Sequence, residues 1–117
     1  MKRKNCCPIA QALGVLGDKW SLIVLRDVIF GKKRHFNDLL ASPEKISTNI
    51  LSNRLKALQD ESLLCCSVDA ENRRSKIYTP TEKAQDLVPV LVELYKWGEK
   101  YNDKAGTVEN PSQAEPF

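Results

Sequence analysis

The 117-residue sequence contains a single histidine, a single methionine and few aromatic residues. Its apolar runs, such as Leu22–Leu25, are far shorter than the roughly 20 residues that a membrane-spanning helix requires. No apolar segment follows the basic N-terminal residues, so we expect no secretory signal, a cytoplasmic location and no membrane partner. The remaining composition, 42% hydrophobic and 28% charged, is that of a globular domain.

The four cysteines form two adjacent pairs, Cys6-Cys7 and Cys65-Cys66, without the two-residue gap of zinc knuckles. With His35 as the one histidine, we expect free thiols, no metal and no cofactor. The sequence also lacks a Gly-rich phosphate loop, which argues against a small thiol enzyme. Because neighbouring strand residues point to opposite faces, we expect one of Cys65 and Cys66 in the core and the other exposed.

Positive charge is concentrated towards the N-terminus. The chain carries a net charge of +3, divided into +5 over residues 1–40, +1 over residues 41–80 and −3 over residues 81–117. Such an asymmetry favours a protein that turns one end towards a polyanion.

Four helices are predicted in the first half of the chain. Pro8, with Cys7 at the cap, begins the first helix, and Gly17 ends it. Asp18 caps a second helix, with Trp20 and Ile23 among its buried residues, that Gly31 ends. A short third helix covers about residues 35–41, and Ser47 caps a fourth that runs to about Asp60.

A β-hairpin and a last helix are predicted to follow. Residues 64–68 are typical of a strand, residues 69–75 of a polar turn and residues 76–79 of a returning strand. A capping box at residues 79–82 begins a last helix that runs to about Tyr101, in which Pro89 either produces a kink or marks the first turns. This order predicts a mainly α fold with a small β-hairpin wing, a winged helix-turn-helix, over residues 6–101, followed by a loose C-terminal tail over residues 102–117.

The fourth helix has an unusual polar side, rich in amides and hydroxyls where a solvent face would carry Glu and Lys. These groups can pair with base edges in the major groove, although an ordinary polar surface is the alternative interpretation. Arg54 falls on the apolar side, so we expect it to pair with an acid or to extend along the surface. The candidate DNA-binding residues are Thr48, Asn49, Ser52, Asn53 and Lys56 of this helix, Arg73, Arg74 and Lys76 of the hairpin, and Lys33 and Arg34 before the third helix.

The last helix is apolar on two sides. One stripe can cover the domain and the other requires a partner, for which a second copy of the chain is the simplest choice. The candidate dimer interface comprises Ile9, Leu13, Leu87, Val90, Leu94, Trp97 and Tyr101.

Several segments together resemble the HxlR-type transcriptional regulators, small winged-helix proteins related to the MarR group. The matching segments are residues 7–9, 16–20, 34–39, 46–55 and 78–82, with Trp97. The resemblance implies a homodimeric regulator that binds double-stranded DNA and dimerises through its first and last helices. It also favours a repressor over an activator. The sequence departs from the family at Glu61-Ser62, where an acidic residue is usually followed by glycine.

The resemblance also implies a possible sensor thiol, since some family members detect oxidants through a cysteine matching Cys7. Its predicted place at a helix N-terminus, near Lys2, Arg3 and Lys4, lowers a thiol pKa. The alternative is an inert buried cysteine. For the whole chain, the alternative to a DNA-binding regulator is a winged-helix module that binds protein without binding DNA.

Overall fold

The computed structural model describes residues 7–102 and shows six helices and one two-stranded antiparallel sheet in that range. The predicted winged helix-turn-helix fold, mainly α with a small hairpin, is confirmed. The elements are α1 Pro8–Leu16, α2 Lys19–Ile29, α3 Phe36–Leu40, α4 Thr48–Asp60, β1 Leu64–Asp69, β2 Asn72–Pro80, α5 Glu82–Gln85 and α6 Val88–Tyr101.

Side-chain caps explain where several helices begin. Asp18 accepts a hydrogen bond from the backbone N–H of Trp20 at 3.1 Å, and Ser47 accepts one from Ile50 at 3.2 Å. Each cap satisfies an N–H group that has no partner within the helix. Both capping residues and the start at Pro8 were predicted from the sequence, and the structure confirms them.

The core lies where α2 crosses α4. Leu25, Val28 and Leu51 are fully buried there, and Leu58 is 1% exposed. The predicted buried side of α2 was partly wrong, because Trp20 and Ile23 are half-buried and Leu25 takes the central place. Helix α2 contacts α1, α3, α4, α6 and β2, so a single stripe does not describe its buried surface.

The wing, residues 64–80, is longer and tighter than the sequence predicted. The strands pair in register from Leu64 with Pro80 to Val68 with Lys76. After a register shift Asp69 pairs with Asn72, which leaves a turn of two residues instead of the expected seven. The side chains of residues 72–74 are exposed, so they carry no hydrophobic alternation that marks them as strand. The pairing of Asn72 with Asp69, beyond an irregularity in the register, extends β2 past them.

The prediction that one of Cys65 and Cys66 lies in the core is wrong, because both are exposed. Only Leu64 of β1 and Tyr78 of β2 are buried, near the base of the wing. Beyond them both faces of the two-stranded ribbon meet solvent, so strand alternation does not separate a buried face from an exposed one.

The predicted single last helix is divided into α5 and α6. Leu87 precedes α6, and Pro89 lies in its first turn, where the missing N–H of proline costs no hydrogen bond. Of the two sequence alternatives for Pro89, the first-turn position is confirmed. The expected tail over residues 102–117 lies outside the described residues, apart from Asn102. Between residues 7 and 102, no helix is both long and apolar enough to cross a membrane.

Candidate nucleic-acid interface

Helix α4 presents one polar face to solvent. Its opposite side carries Leu51, Leu55 and Leu58, all buried in the core. The exposed side, which we call the reading face, carries two amides, two hydroxyls and one ammonium group. Its members are Thr48, Asn49, Ser52, Asn53 and Lys56.

A bidentate ion pair fixes the connection that leads into α4. In Arg26, on α2, Nη1 donates a 2.8 Å hydrogen bond to Oε2 of Glu44, and Nη2 donates one of the same length to Oε1. Ser42 Oγ donates a third hydrogen bond, also at 2.8 Å, to Oε1. These bonds lower the pKa of Glu44 to about 2 and raise the pKa of Arg26, although partial burial of the pair opposes both shifts. The turn between α3 and α4 is therefore anchored to α2.

Two candidate DNA-binding residues have partners inside the molecule. Lys33 Nζ lies 3.6 Å from a carboxylate oxygen of the buried Asp27, and Arg34 Nη1 donates to the carbonyl oxygen of Val28 at 3.1 Å. Both side chains are half-buried. Their contribution to DNA binding stays a prediction, since these contacts give them a structural use as well.

Arg54 is also half-buried, with the acidic partner that the sequence suggested. Its Nη1 lies 3.2 Å from Asp18 Oδ2 and 3.3 Å from Ser21 Oγ, which joins α4 to the start of α2. Its Nη2 donates to Asn53 Oδ1 at 3.1 Å. One residue of the reading face is thereby tied to the scaffold.

The wing stands beside the reading face. The backbone N–H of Tyr78 donates to the carbonyl oxygen of Arg34 at 2.8 Å, which attaches β2 to the segment before α3. Arg73, Arg74 and Lys76 are exposed further along the strand. A cleft of polar and basic character opens between α3, α4 and β2, and it is lined by Phe36, Ser52, Leu55, Lys56, Gln59, Lys76 and Tyr78.

His35 joins α3 to the wing, a contact that the sequence did not predict. Its Nε2 lies 3.2 Å from Asp69 Oδ2, and its Nδ1 lies 3.6 Å from Asp38 Oδ2. The backbone N–H of Glu71 and then His35 hold the pKa of Asp69 below its usual range. His35 and Asp69 are separated by 34 residues in the sequence, so no local sequence pattern could predict their contact. Within residues 7–102, no three potential ligand side chains converge to hold a metal ion.

Large apolar side chains are also exposed, on α6 and on α1. Leu91 is 5% exposed and covers the core, whereas Trp97 is 65% exposed and Ile9 is 71% exposed. The rings of Trp97 and Tyr101 lie 5.5 Å apart, centroid to centroid. We call the exposed set the apolar seam: Ile9, Leu13, Val90, Leu94, Trp97 and Tyr101. Leu87, the remaining candidate interface residue, is half-buried against the core.

Cys7 is exposed at the start of α1, so the buried-cysteine alternative is wrong. The backbone N–H groups of Ala10 and, to a smaller extent, Ile9 face the sulfur and lower the pKa of its thiol. The thiolate of a cysteine is its nucleophilic form, so this position favours reactivity.

Comparison with known proteins places this geometry among transcriptional regulators. A family model described as HxlR-like helix-turn-helix matches residues 15–106. The HTH-type transcriptional regulator YdeP of Bacillus subtilis (strain 168) is 33% identical over 109 residues, which cover 93% of this chain and 84% of YdeP.

Solved structures give the same fold. The putative transcription factor PA1607 superposes with a TM-score of 0.81 at 29% identity, over 91% of this chain and 72% of PA1607. The redox regulator HypR, in its reduced form, superposes with a TM-score of 0.72 at 25% identity, over 83% of this chain and 95% of HypR.

Proposed function

The chain belongs to the HxlR-like helix-turn-helix family of transcriptional regulators, and from that premise we propose that it is a homodimeric repressor that binds a specific DNA operator. The observation that carries the proposal is the reading face, which offers amides, hydroxyls and one lysine beside a basic wing. Amide and hydroxyl groups distinguish base pairs in the major groove, and arginine and lysine bind phosphates.

In the proposed complex, α4 enters the major groove and the wing contacts flanking DNA. Thr48, Asn49, Ser52, Asn53 and Lys56 meet base edges, while Arg73, Arg74 and Lys76, with Lys33 and Arg34, meet the backbone. Two copies joined through the apolar seam place their reading helices about 34 Å apart, one turn of DNA. Repression then requires only that the dimer occupy a promoter.

The proposed working unit is residues 6–101. Its described part contains the core, the reading face, the wing and the apolar seam, whereas the residues that follow are polar and rich in turn formers. A chain ending at Asn102 is expected to bind the operator as tightly as the full chain.

Selection of fragments from the protein's own genome tests DNA binding directly. The purified protein is expected to retain a small set of fragments, with an affinity that falls steeply as salt rises. Asn49→Ala is expected to cost about 1–3 kcal/mol on the retained sequence and to relax base preference at one position. Equal weakening on every sequence would show that Asn49 is not a base reader, and no salt-dependent binding of any duplex would favour the protein-binding alternative.

We also propose a thiol-responsive form of this regulator, supported by the exposed Cys7 and its lowered pKa. HypR, one of the similar structures, is described as a redox regulator. Oxidation or alkylation at Cys7 adds charge or bulk beside α1, whose Ile9 and Leu13 belong to the apolar seam. A changed dimer alters the spacing of the reading helices and therefore the fit to DNA.

An oxidant titration of operator binding tests the thiol response. The wild-type affinity is expected to fall on mild oxidation and to recover with a thiol reductant, and Cys7→Ser is expected to abolish the response. A Cys65→Ser/Cys66→Ser double variant is the matched control and should respond like the wild type. A Cys7→Ser variant that still responds would place the sensitive thiol elsewhere.

A further inference from the structure

Asn53 differs from the other residues of the reading face in having its amide held by a scaffold residue. We propose that Asn53 reads its base only as a hydrogen-bond donor, and that Arg54 and Asp18 impose this polarity by holding its carbonyl oxygen. The inference rests on the proposed function, in which α4 enters the major groove. It assigns a base preference to Asn53 and a positioning role to Arg54.

The contacts form a chain from the start of α2 to the reading face. Asp18 uses Oδ1 to accept from the N–H of Trp20 at 3.1 Å and Oδ2 to hold Arg54 Nη1 at 3.2 Å. Ser21 Oγ, 1% exposed as a residue, accepts from the same nitrogen at 3.3 Å. The guanidinium group is planar and rigid, so fixing Nη1 also fixes the direction of Nη2, which donates to Asn53 at 3.1 Å.

The chemistry of the guanidinium group decides which way the Asn53 amide points. Arginine has five N–H donors and no acceptor, so the Asn53 atom that faces it must be the carbonyl oxygen. The –NH2 group then occupies the other branch of the amide and points away from Arg54. Asn53 itself is exposed, so this –NH2 group is accessible to a ligand.

An amide fixed in this way matches some base edges and not others. The bidentate contact of asparagine with adenine needs both atoms, since the oxygen accepts from N6 while the nitrogen donates to N7. Guanine presents two acceptors, N7 and O6, and thymine presents O4, whereas adenine places the N6 donor group beside its single acceptor N7. With the Asn53 oxygen turned towards Arg54, the adenine N6 group has no acceptor to meet, so Asn53 is expected to prefer guanine or thymine over adenine.

Equilibrium selection from a random duplex library, with the full-length protein, measures this preference. The base position read by Asn53 is the one whose preference disappears in Asn53→Ala. The wild type is expected to enrich guanine or thymine over adenine there by about fivefold or more. Arg54→Met removes the donor to the carbonyl oxygen, and the preference at that position is expected to shift towards adenine.

Asn53→Asp tests the same polarity without changing Arg54. A carboxylate offers only acceptors, so the preferred base is expected to become cytosine, whose N4 group donates. Gln85→Glu is the matched control, because it makes the same change of amide to carboxylate at an exposed position of α5, away from the reading face. It should leave the position read by Asn53 unchanged.

The possible results separate the inference from the proposed function. Wild-type enrichment of adenine at the position read by Asn53 would overturn the inference while DNA recognition stands, as would an Asn53→Ala variant with an unchanged profile. An Arg54→Met variant that is folded, weakened equally on all bases and unchanged in preference would remove the positioning role. If Arg54→Met fails to fold, as circular dichroism would show, the wild-type preference between guanine or thymine and adenine decides alone. No enrichment by the wild type would overturn the proposed function and the inference together.

Discussion

The hydroxyl group of Thr81 donates a 2.7 Å hydrogen bond to the carbonyl oxygen of Ser62, which closes the base of the wing. The same hydroxyl oxygen accepts from the N–H of Ala84 and thereby caps α5. Ser62 reaches this place with φ of 62°, in the left-handed region that favours glycine. The family's usual glycine at this position thus has a structural reason.

Ser62→Gly is expected to raise the free energy of unfolding by about 0.5–1 kcal/mol. Relief of the left-handed strain outweighs the greater freedom of glycine in the unfolded chain. Urea unfolding measures the change. Ser67→Gly, at an extended position of β1, is the matched control and should destabilise the protein by a similar amount. Destabilisation by both substitutions would contradict the strain at Ser62.

Glu44→Gln is expected to destabilise the protein at neutral pH by on the order of 1–2 kcal/mol, since the pair with Arg26 is partly exposed and screened. Folding lowers the pKa of Glu44 from 4.5 to about 2. Its contribution is therefore complete above pH 4.5 and is lost as pH falls towards 2. The free energies of unfolding of wild type and variant, measured across this pH range, should converge in acid. Glu71→Gln, at the exposed wing turn, is the control and should have nearly the wild-type free energy of unfolding at every pH. A pH-independent difference for Glu44→Gln would contradict the ion pair.

Arg73→Ala and Arg74→Ala are each expected to weaken DNA binding on all sequences alike. Each loses one phosphate contact, so the slope of log affinity against log salt should fall by about one per arginine. Fluorescence anisotropy over a salt series measures the slope. Lys83→Ala removes the same charge from α5 and should leave the slope unchanged. A loss confined to one base sequence would instead make the arginine a base reader.

Trp97→Ala is expected to weaken dimerisation by about 2 kcal/mol, because a large exposed aromatic side chain is removed from the apolar seam. Sedimentation equilibrium over a range of concentrations measures the dissociation constant. Lys96→Ala changes the neighbouring residue of α6 and should leave it unchanged. A wild-type protein that sediments as a monomer at all concentrations would refute the dimer and the proposed half-site spacing.

Local signals in the sequence were enough to predict most of the fold. Caps such as Asp18 and Ser47 act within three residues, so the sequence contains both partners of each hydrogen bond. The helical period of Leu51, Leu55 and Leu58 similarly identifies the buried side of α4, and hence its reading face. These features depend on neighbours along the chain.

Features that depend on distant partners could not be predicted. The extension of β2 to Asn72 depends on its pairing with Asp69, which leaves no hydrophobic pattern in the sequence. The exposure of Cys65 depends on what the rest of the chain leaves uncovered. For Arg54 the sequence suggested an acidic partner but did not identify it as Asp18. Its partner lies 36 positions away, and only the crossing of α2 and α4 identifies it.

The double use of Asp18 constrains how the sequence of such a regulator can change. Serine, threonine or asparagine would cap α2 as well as aspartate does, but none would supply the negative charge that holds Arg54. Such a substitution would keep the cap of α2 but remove the ion pair, and would therefore alter base selection through Arg54 and Asn53. Since both subunits of a homodimer inherit the change, both half-sites of an operator would be affected at once. Substitution of Asp18 during evolution would therefore require matching changes in the operator sequences.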